Sequence, residues 1–320
     1  MIGSNCHMAY QRMKSIFASL AVLALASHLA TGQSVWINEV LTNPNGSDSG
    51  AAFGNEYFEL RGTPGLALSG YYLLSLEGQG ANTGDINQFF DLGAFSIGAN
   101  GYLFARQNLS PYVATAGGAT VIENTAGQGW GLTGASTVGH SGDGTQVDWE
   151  NSASTILLIQ KGAGDAPALT TDLDTDNNGT LDLPAGWTVA DSVGIMDSSS
   201  ANAADFSYGA ITLRVGELGS SLEGVIVQVP GTPPTSAGAF YVGRKGESTG
   251  STADDWMGAI LNGSSAAPLD ITFAYSSDEA FVGKKTPDMV YGGPNLVPEP
   301  GTLALVGLGC LALIIGRKSR

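Results

Sequence analysis

The acidic segment at residues 174–182 has residue types and spacing that suit a hard cation. Oxygen-bearing residues occupy its positions 1, 3, 5, 7 and 9, and a glycine at position 6 permits the sharp turn that lets them converge. The five candidate ligands are Asp174, Asp176, Asn178, Thr180 and Asp182. Because Ca²⁺ takes six to eight oxygen ligands, this pattern predicts a calcium-binding loop.

The segment departs from a helix-flanked calcium loop at its twelfth position. Ala185 stands where such a loop carries a bidentate Glu, and Pro184 excludes a following helix. A further ligand, such as Asp172 or Asp191, would have to come from outside the loop. The competing interpretation is an acidic turn without metal, because Asp, Asn and Gly form turns unaided. In either case we expect the loop to stabilise an insertion and not to carry out catalysis.

Other polar residues offer weaker indications of chemistry. Residues 140–144 combine His, Ser and Asp, but a catalytic triad is defined in space and no G-x-S-x-G elbow is present, so a polar loop is predicted. The acidic residues Glu39, Glu56 and Glu59 keep a two-carboxylate glycosidase among the candidate functions. Alternating Glu on a strand is more simply its solvated face. Residues 254–256 predict a turn followed by a core tryptophan.

Both ends of the chain look like targeting segments. Arg12 and Lys14 precede an apolar stretch, which predicts a secretory signal peptide over residues 1–32 with cleavage before Gln33. Residues 301–316 form a second apolar run, about 24 Å long as a helix. Basic residues follow this run, so we expect a short transmembrane helix with its basic end on the cytoplasmic side.

The C-terminal segment 297–320 combines Pro298-Glu299-Pro300, the apolar run and the basic end in that order. This arrangement resembles the PEP-CTERM sorting signal of Gram-negative bacteria. The resemblance implies an exosortase-type sorting protease as partner and an intermediate anchored in the inner membrane. It also implies a final location at the cell surface or in an exopolysaccharide matrix.

The composition between these ends excludes several classes of function. Residues 33–297 contain 8 Lys and Arg against 28 Asp and Glu, a formal charge of −20, which opposes binding to nucleic acid or to anionic lipid. They contain no cysteine and one histidine, His140. A disulfide framework, thiol chemistry and a zinc site of the His/Cys kind are therefore excluded for this segment.

Short apolar or alternating runs, separated by Gly, Asn, Asp and Ser, predict an all-β body. The candidate strands are 35–41, 56–60, 71–76, 88–92, 101–105, 155–160, 188–195, 224–229, 239–242 and 271–275. The run at 155–160 is the most uniformly apolar, which favours a central strand. Residues 115–144 are rich in glycine and predict long loops with an edge strand or two.

Part of this body resembles the lamin-tail domain, an immunoglobulin-like β-sandwich. The resemblance rests on the order and spacing of Ile37-Asn38-Glu39-Val40-Leu41, Asn43-Pro44, Glu56-Tyr57-Phe58-Glu59-Leu60 and Leu68-Ser69-Gly70-Tyr71-Tyr72-Leu73-Leu74. It covers about 35–200 and requires long insertions at 111–150 and 162–185. The expected organisation is a lamin-tail-like sandwich over 33–200, followed by a β-rich extension or completion of it over 201–296.

These observations favour an exported, non-enzymatic protein with a structural or adhesive role at the cell surface or in the matrix. The lamin-tail resemblance implies a scaffold or adhesion module without a known catalytic centre. The alternative is a secreted hydrolase, or an accessory module of one, acting on polysaccharide or nucleic acid with or without Ca²⁺. The negative charge disfavours the nucleic-acid version of that alternative.

Overall fold

A computed structural model of the chain describes residues 35–44, 55–150, 153–196, 206–215, 225–229, 240–262 and 268–296. Fourteen β-strands run through these residues: β1 Val35–Asn43, β2 Tyr57–Gly62, β3 Tyr71–Glu77, β4 Ile86–Asp91, β5 Tyr102–Arg106, β6 Thr120–Glu123, β7 His140–Gly142, β8 Ser154–Gln160, β9 Thr188–Met196, β10 Ile211–Val215, β11 Val225–Val229, β12 Phe240–Arg244, β13 Trp256–Asn262 and β14 Thr272–Ser276. Single-turn 3₁₀ helices lie at Gly80–Asn82, Pro268–Asp270, Glu279–Phe281 and Thr286–Asp288. The predicted signal peptide, the sorting motif and the predicted transmembrane helix lie outside the described residues.

The strands form two seven-stranded sheets, which confirms the predicted all-β class. Sheet 1 has the order β14-β13-β12-β1-β2-β5-β6, and sheet 2 has the order β11-β10-β9-β8-β3-β4-β7. The pairs β5–β6, β9–β10 and β10–β11 are parallel, and the other pairs are antiparallel. β8 is central in sheet 2, as its uniformly apolar sequence predicts.

The strands that follow residue 200 join both sheets. β10 and β11 extend sheet 2 beyond β9. β12 pairs with β1 in the middle of sheet 1, and β13 and β14 continue outward from it. The N-terminal strand therefore lies between β2 and β12, two strands from distant parts of the chain.

The inner faces of the two sheets enclose the main core. Its fully buried members include Ile37, Phe58, Leu103, Ile156, Leu158, Val193, Leu213 and Val242. Trp130 and Trp149 join this core from the 111–150 insertion, with ring centroids 4.9 and 5.1 Å from that of Phe90. This insertion therefore adds aromatic packing to the sandwich as well as loop structure.

Both outer faces of the sandwich are also covered. On sheet 1, Phe281, Met289 and Tyr291 pack with Tyr57, Phe104, Tyr241, Met257 and Phe273 of the strands. On sheet 2, the 162–185 insertion and its flank place Leu173 and Trp187 against Tyr72, Leu74, Leu157 and Ile159. Because the covered strands are buried on both sides, a polar side chain on them does not reach solvent.

Two strands, β10 and β13, are absent from the sequence-based set. β13 reads Trp-Met-Gly-Ala-Ile-Leu-Asn and is buried over its first six residues, so it shows no alternation. Gly258 lies at its centre, where an added Cβ would stand 2.7 Å from Leu213 and 2.9 Å from Val229. The glycine thus permits the close approach of the two sheets, although it weakens the strand signal in the sequence.

A buried ion pair joins the sheets at a bulge in β1. The register of β1 with β2 shifts between Ile37 and Glu39. Asp191 of sheet 2 accepts a hydrogen bond from the Ile37 backbone N–H at 2.8 Å, and the Arg244 Nε donates to the Ile37 carbonyl at 2.8 Å. The Arg244 Nη2 lies 2.7 Å from the Asp191 carboxylate. The pair therefore satisfies the backbone groups of Ile37 beside the bulge.

Burial dominates the electrostatics of this pair. It raises the pKa of Asp191 although Arg244 opposes the rise, and it lowers the pKa of Arg244 although Asp191 opposes the fall. Burial thus opposes the charged form of each residue, whereas their mutual attraction and hydrogen bonds favour it. The Arg244 guanidinium also stacks 4.3 Å from the Trp256 ring centroid. We infer that the pair specifies how the sheets meet more than it adds net stability.

Removing one partner of this pair is expected to destabilise the protein strongly. Asp191→Ala leaves a buried cation and the Ile37 N–H without their acceptor, which should lower the free energy of unfolding by about 3–5 kcal/mol. The exposed pair of Lys285 and Asp270 provides the control, and Asp270→Ala should change it by about 1 kcal/mol or less. Urea denaturation of both variants measures the difference. Equal effects of the two variants would contradict the role assigned to Asp191.

Candidate functional site

The acidic loop predicted to bind calcium lies between β8 and β9, over the outer face of sheet 2. Leu173, Leu181 and Leu183 pack on the apolar cluster of that face. The backbone N–H of Asp182 donates to the carbonyl of Leu173, which closes the base of the loop. Asn177 at its tip has a φ of 52°, a left-handed conformation that Asn tolerates. The loop is thus fixed to the sandwich by its leucines.

Asp174 holds the loop together from inside. Its side chain is fully buried, and it accepts hydrogen bonds from the backbone N–H groups of Asn178 and Gly179, both at 2.9 Å. The hydroxyl of Tyr208 donates to the same carboxylate at 2.9 Å. With three donors in place, Asp174 already acts as the acceptor at the centre of a hydrogen-bonded turn.

The other four predicted ligands are exposed. Asp176 accepts a hydrogen bond from the Asn178 amide at 2.8 Å, and Asp182 accepts one from the Thr175 hydroxyl at 2.6 Å. Thr180 donates its backbone N–H to the Asn178 side chain. Among the described residues, no three His, Cys, Asp or Glu side chains are arranged to hold a metal ion. Calcium binding by the loop stays a prediction.

The two external ligands considered for this loop have other contacts. Asp191 belongs to the ion pair between the sheets. Asp172 accepts a hydrogen bond from the backbone N–H of Asp174 at 2.8 Å. Asp85, whose segment forms an isolated β-bridge with Asp172, has its pKa raised by burial and by the nearby carboxylates of Asp172, Glu77 and Asp143.

His140 begins β7, an edge strand of the kind predicted within 115–144, so the prediction of a polar loop over 140–144 is wrong for residues 140–142. The side chain is 2% exposed and packs on Phe90, with ring centroids 5.0 Å apart. Its Nδ1 lies 2.7 Å from the carbonyl oxygen of Gly131, and its Nε2 lies 3.3 Å from the side-chain oxygen of Gln88. Burial lowers its pKa to about 4, so the ring is neutral near pH 7.

The prediction of a solvated face for Glu39, Glu56 and Glu59 is also wrong, because all three are fully buried. Glu56 accepts hydrogen bonds from the indole N–H of Trp130 at 2.7 Å and from the backbone N–H of Trp149 at 2.9 Å. These contacts attach the 111–150 insertion to the start of β2. The sequence around Glu56 contains no sign of partners 74 and 93 residues away.

Glu39 and Glu59 form a buried carboxyl pair beneath the segment that covers sheet 1. They are opposite each other on β1 and β2. The hydroxyl of Tyr241 donates to Glu39, and the Asn38 amide donates to Glu59 at 2.7 Å. Burial raises the pKa of Glu39 to about 8, and burial together with the charge of Glu39 raises the pKa of Glu59. The pair therefore holds at least one proton near neutral pH.

A second carboxyl pair, absent from the sequence analysis, involves Glu77 at the end of β3 and the partly exposed Glu150. The Asn87 amide donates to both carboxylates, at 3.0 Å to Glu77 and more closely to Glu150. Burial and the contact with Glu77 raise the pKa of Glu150 to about 7. The two residues are 73 positions apart in the sequence, so only the fold brings them together.

The described chain ends in a C-terminal strap, residues 286–296, that covers the Glu39–Glu59 pair. The backbone N–H of Gly292 donates to Glu59, and its carbonyl accepts from the Asn100 amide at 2.7 Å. The Asn295 amide donates to the Arg244 carbonyl at 2.9 Å. Leu296 packs on the apolar cluster of sheet 1. The packed part of the chain therefore extends to within two residues of Pro298.

Comparison with protein-family models matches residues 296–320 to the PEP-CTERM protein-sorting motif. This confirms the sorting signal and indicates that the protein is exported through an exosortase-type system. No curated protein and no solved structure matches the chain. No family or structure match supports the lamin-tail likeness of residues 35–200. Within the described ranges no helix is long and apolar enough to cross a membrane, and the predicted span 301–316 lies outside them.

The burial of Glu39 predicts a specific pH dependence of stability. A carboxyl whose pKa is raised on folding contributes stability below its unfolded value near 4.5 and loses it as the pH rises through about 8. Glu39→Gln removes that proton equilibrium with little change of shape. Between pH 5 and pH 9 the melting temperature of the wild type should fall more than that of the variant, by roughly 10 °C. The exposed Glu279→Gln variant is the control, and a parallel decline in all three proteins would contradict this account.

The contacts of Asp174 predict a structural effect that does not require metal. Asp174→Ala leaves two backbone N–H groups and the Tyr208 hydroxyl without their acceptor, which should lower the free energy of unfolding by about 2–3 kcal/mol. Asp176→Ala, at an exposed position of the same loop, should change it by about 0.5 kcal/mol or less. Urea denaturation in EDTA compares the two variants. Similar values for both, or no effect of Asp174→Ala in EDTA, would show that these hydrogen bonds do not hold the loop.

Proposed function

We propose that this protein is a non-enzymatic structural or adhesive β-sandwich of the cell surface or the exopolysaccharide matrix. The observation that carries the proposal is that the folded sandwich continues directly into the sorting motif. The C-terminal strap packs on sheet 1 up to Leu296, and the sorting motif matches from residue 296 onward. A domain whose last packed segment runs directly into a sorting tail is suited to be the cargo of that tail.

The covering of both outer faces supports a scaffold role. Each sheet is packed on two sides, and the 111–150 insertion is attached through Glu56 and two tryptophans. We propose that the sandwich is lamin-tail-like over about 35–200, enlarged by these insertions. A rigid body of this kind suits a protein that must stay folded without disulfides outside the cytoplasm, since residues 33–297 contain no cysteine.

The positions of the candidate catalytic residues also support a non-enzymatic role. Glu39, Glu56 and Glu59 are fully buried, so a polysaccharide has no access to them. Both ring nitrogens of His140 lie within hydrogen-bonding distance of protein oxygens. The three glutamates that were candidates for a glycosidase therefore take part in packing and internal hydrogen bonding.

The alternative is a secreted hydrolase, and the Glu77–Glu150 pair is the observation that favours it. A carboxyl with a pKa of about 7 suits a general acid. The two carboxyl groups are in direct contact, however, whereas glycosidases hold theirs about 5–9.5 Å apart. Release of reducing sugars from matrix polysaccharide by the wild type, and its loss in Glu150→Gln, would establish this alternative.

Calcium binding is a second part of the proposal. Asp176, Asn178, Thr180 and Asp182 are exposed and open to a cation from solvent, although Asp174 is engaged by the protein. If Ca²⁺ binds, the melting temperature should rise on titration after EDTA treatment, and the rise should vanish in Asp176→Ala. No rise up to millimolar Ca²⁺ would leave the segment as an acidic turn.

The sorting motif provides the test of the proposed location. Replacement of Pro298, Glu299 and Pro300 by alanine should retain the full-length chain in the inner-membrane fraction. The wild type should appear in the surface or matrix fraction without its tail. Immunoblots of fractionated cells measure both, and Pro294→Ala, in the strap just before the motif, is the control. Identical distributions of wild type and triple variant would contradict the proposal.

A further inference from the structure

The last packed residues of the described chain, 292–296, form the terminal segment of the strap, and the body holds this segment at both ends. The Asn100 amide donates to the Gly292 carbonyl at 2.7 Å. Asn295 is 3% exposed, and its amide donates to the carbonyl of Arg244 at 2.9 Å. The terminal segment is therefore a packed part of the sandwich, although it contains no strand.

Two glycines let the terminal segment lie close to the body. Gly292 has a φ of 77°, and a Cβ added to it would stand 2.9 Å from the Cβ of Ala119. A Cβ added to Gly293 would likewise stand 2.9 Å from the Cβ of Ala116. The backbone of the segment thus contacts the loop before β6 directly, and the Gly292 N–H reaches the buried Glu59.

The sorting motif overlaps this packed segment. The family match begins at residue 296, and Leu296 packs on the apolar cluster of sheet 1. Pro298 follows two residues later, so it lies within about 7 Å of the packed chain even when those residues are fully extended. A layer of protein is about 10 Å thick. A partner that encloses the motif therefore has no room between the motif and the sandwich while the segment stays packed.

The terminal segment can separate from the body while the sheets stay intact, because the described strand pairings do not include it. Tyr291, the residue before it, is 3% exposed and anchors the strap. Its ring centroid lies 5.2 to 5.4 Å from those of Tyr57, Phe104 and Tyr112. With Tyr291 as the fixed point, seven residues lead to the first proline of the motif and span up to about 24 Å. That length leaves room for a layer of the partner.

We propose that the terminal segment acts as a latch, which must leave sheet 1 before the exosortase-type partner takes the motif, and that its packing sets the rate of tail removal. The proposal rests on the sorting function given above and adds a conformational step to it. Only molecules with a released segment bind the partner, so the apparent affinity for the motif falls with the fraction that is released.

Variants that loosen the terminal segment should speed tail removal. Asn100→Ala deletes the donor to Gly292 from the body side, so the strap and the motif keep their sequence. Asn295→Ala deletes a buried contact within the segment, and its exposed neighbour Pro294→Ala is the matched control. Loss of one hydrogen bond should raise the released fraction, and with it the rate, roughly three- to tenfold. Asp174→Ala, which destabilises the opposite face, should leave the rate unchanged.

The rate is measured in cells by pulse labelling of the full-length chain and immunoblots of the long and shortened forms. A disulfide that holds the segment in place tests the same step in the opposite direction. Cβ atoms at Ala116→Cys and Gly293→Cys would start 2.9 Å apart, so a shift of about 1 Å admits the bond. Residues 33–297 contain no cysteine to compete with this pair. Tail removal should slow roughly tenfold, and dithiothreitol should restore the rate.

A spacer distinguishes the release of the terminal segment from other causes of slow processing. Insertion of Gly-Ser-Gly-Ser-Gly-Ser between Asn295 and Leu296 leaves the matched residues 296–320 intact and adds about 13 Å of flexible chain. The motif is then free while the strap stays packed up to Asn295. Tail removal should be at least as fast as in Asn100→Ala, and the disulfide should no longer slow it.

Two results would overturn the proposal. The first is tail removal at the wild-type rate in the disulfide-linked protein, with the link shown on a nonreducing gel, because the motif would then be taken while the segment is packed. The second is equal acceleration by Asp174→Ala and Asn100→Ala, which would assign the rate to overall stability. Failure of the sorting proposal gives a different result, since the alanine variant of Pro298, Glu299 and Pro300 would then be distributed like the wild type.

Discussion

The bulge in β1 at Ile37 is the constraint on which the rest of the sandwich depends. It leaves backbone groups of Ile37 to be satisfied by side chains, and these come from Asp191 of sheet 2 and Arg244 of sheet 1. Since both charges are buried, removal of either residue leaves the other as an uncompensated buried charge. The same contact sets the position of β12, from which β13 and β14 extend. A region near the C-terminus is thereby fixed to the first strand.

The covering of the outer faces follows from this arrangement and determines the surface of the molecule. With β12–β14 in sheet 1, the C-terminal strap returns across β1, β2 and β5, where Gly292 contacts Glu59 and Asn100. The 162–185 insertion covers sheet 2 in the same way through its leucines. Glu39 and Glu59 thus lie in an interior that a simple two-layer sandwich would have left open to water.

The sequence predicts the all-β class and ten of the strands because local apolar runs and turn residues carry that information. It also identifies the sorting tail, whose signal lies in contiguous residues. The sequence-based predictions fail where contacts between distant parts of the chain determine the burial and the partners of a residue. Glu39 and Glu59 look solvated because the strap that covers them lies more than 200 residues further along the chain. β13 lacks alternation because both of its faces are buried. Asp174 carries the pattern of a cation ligand, yet its donors are Asn178, Gly179 and Tyr208.

The most direct test of this account is native-state hydrogen exchange of the full chain, followed by mass spectrometry. The account predicts that amides of β1, β8–β9 and β12–β13 open with the same free energy, because the bulge and its ion pair make them one cooperative unit. Asp191→Ala should then lower the protection of all three regions together. Exchange of β12–β14 as a separate, less stable unit, with β1 and β8–β9 still protected, would contradict the central role of the contact between Ile37, Asp191 and Arg244.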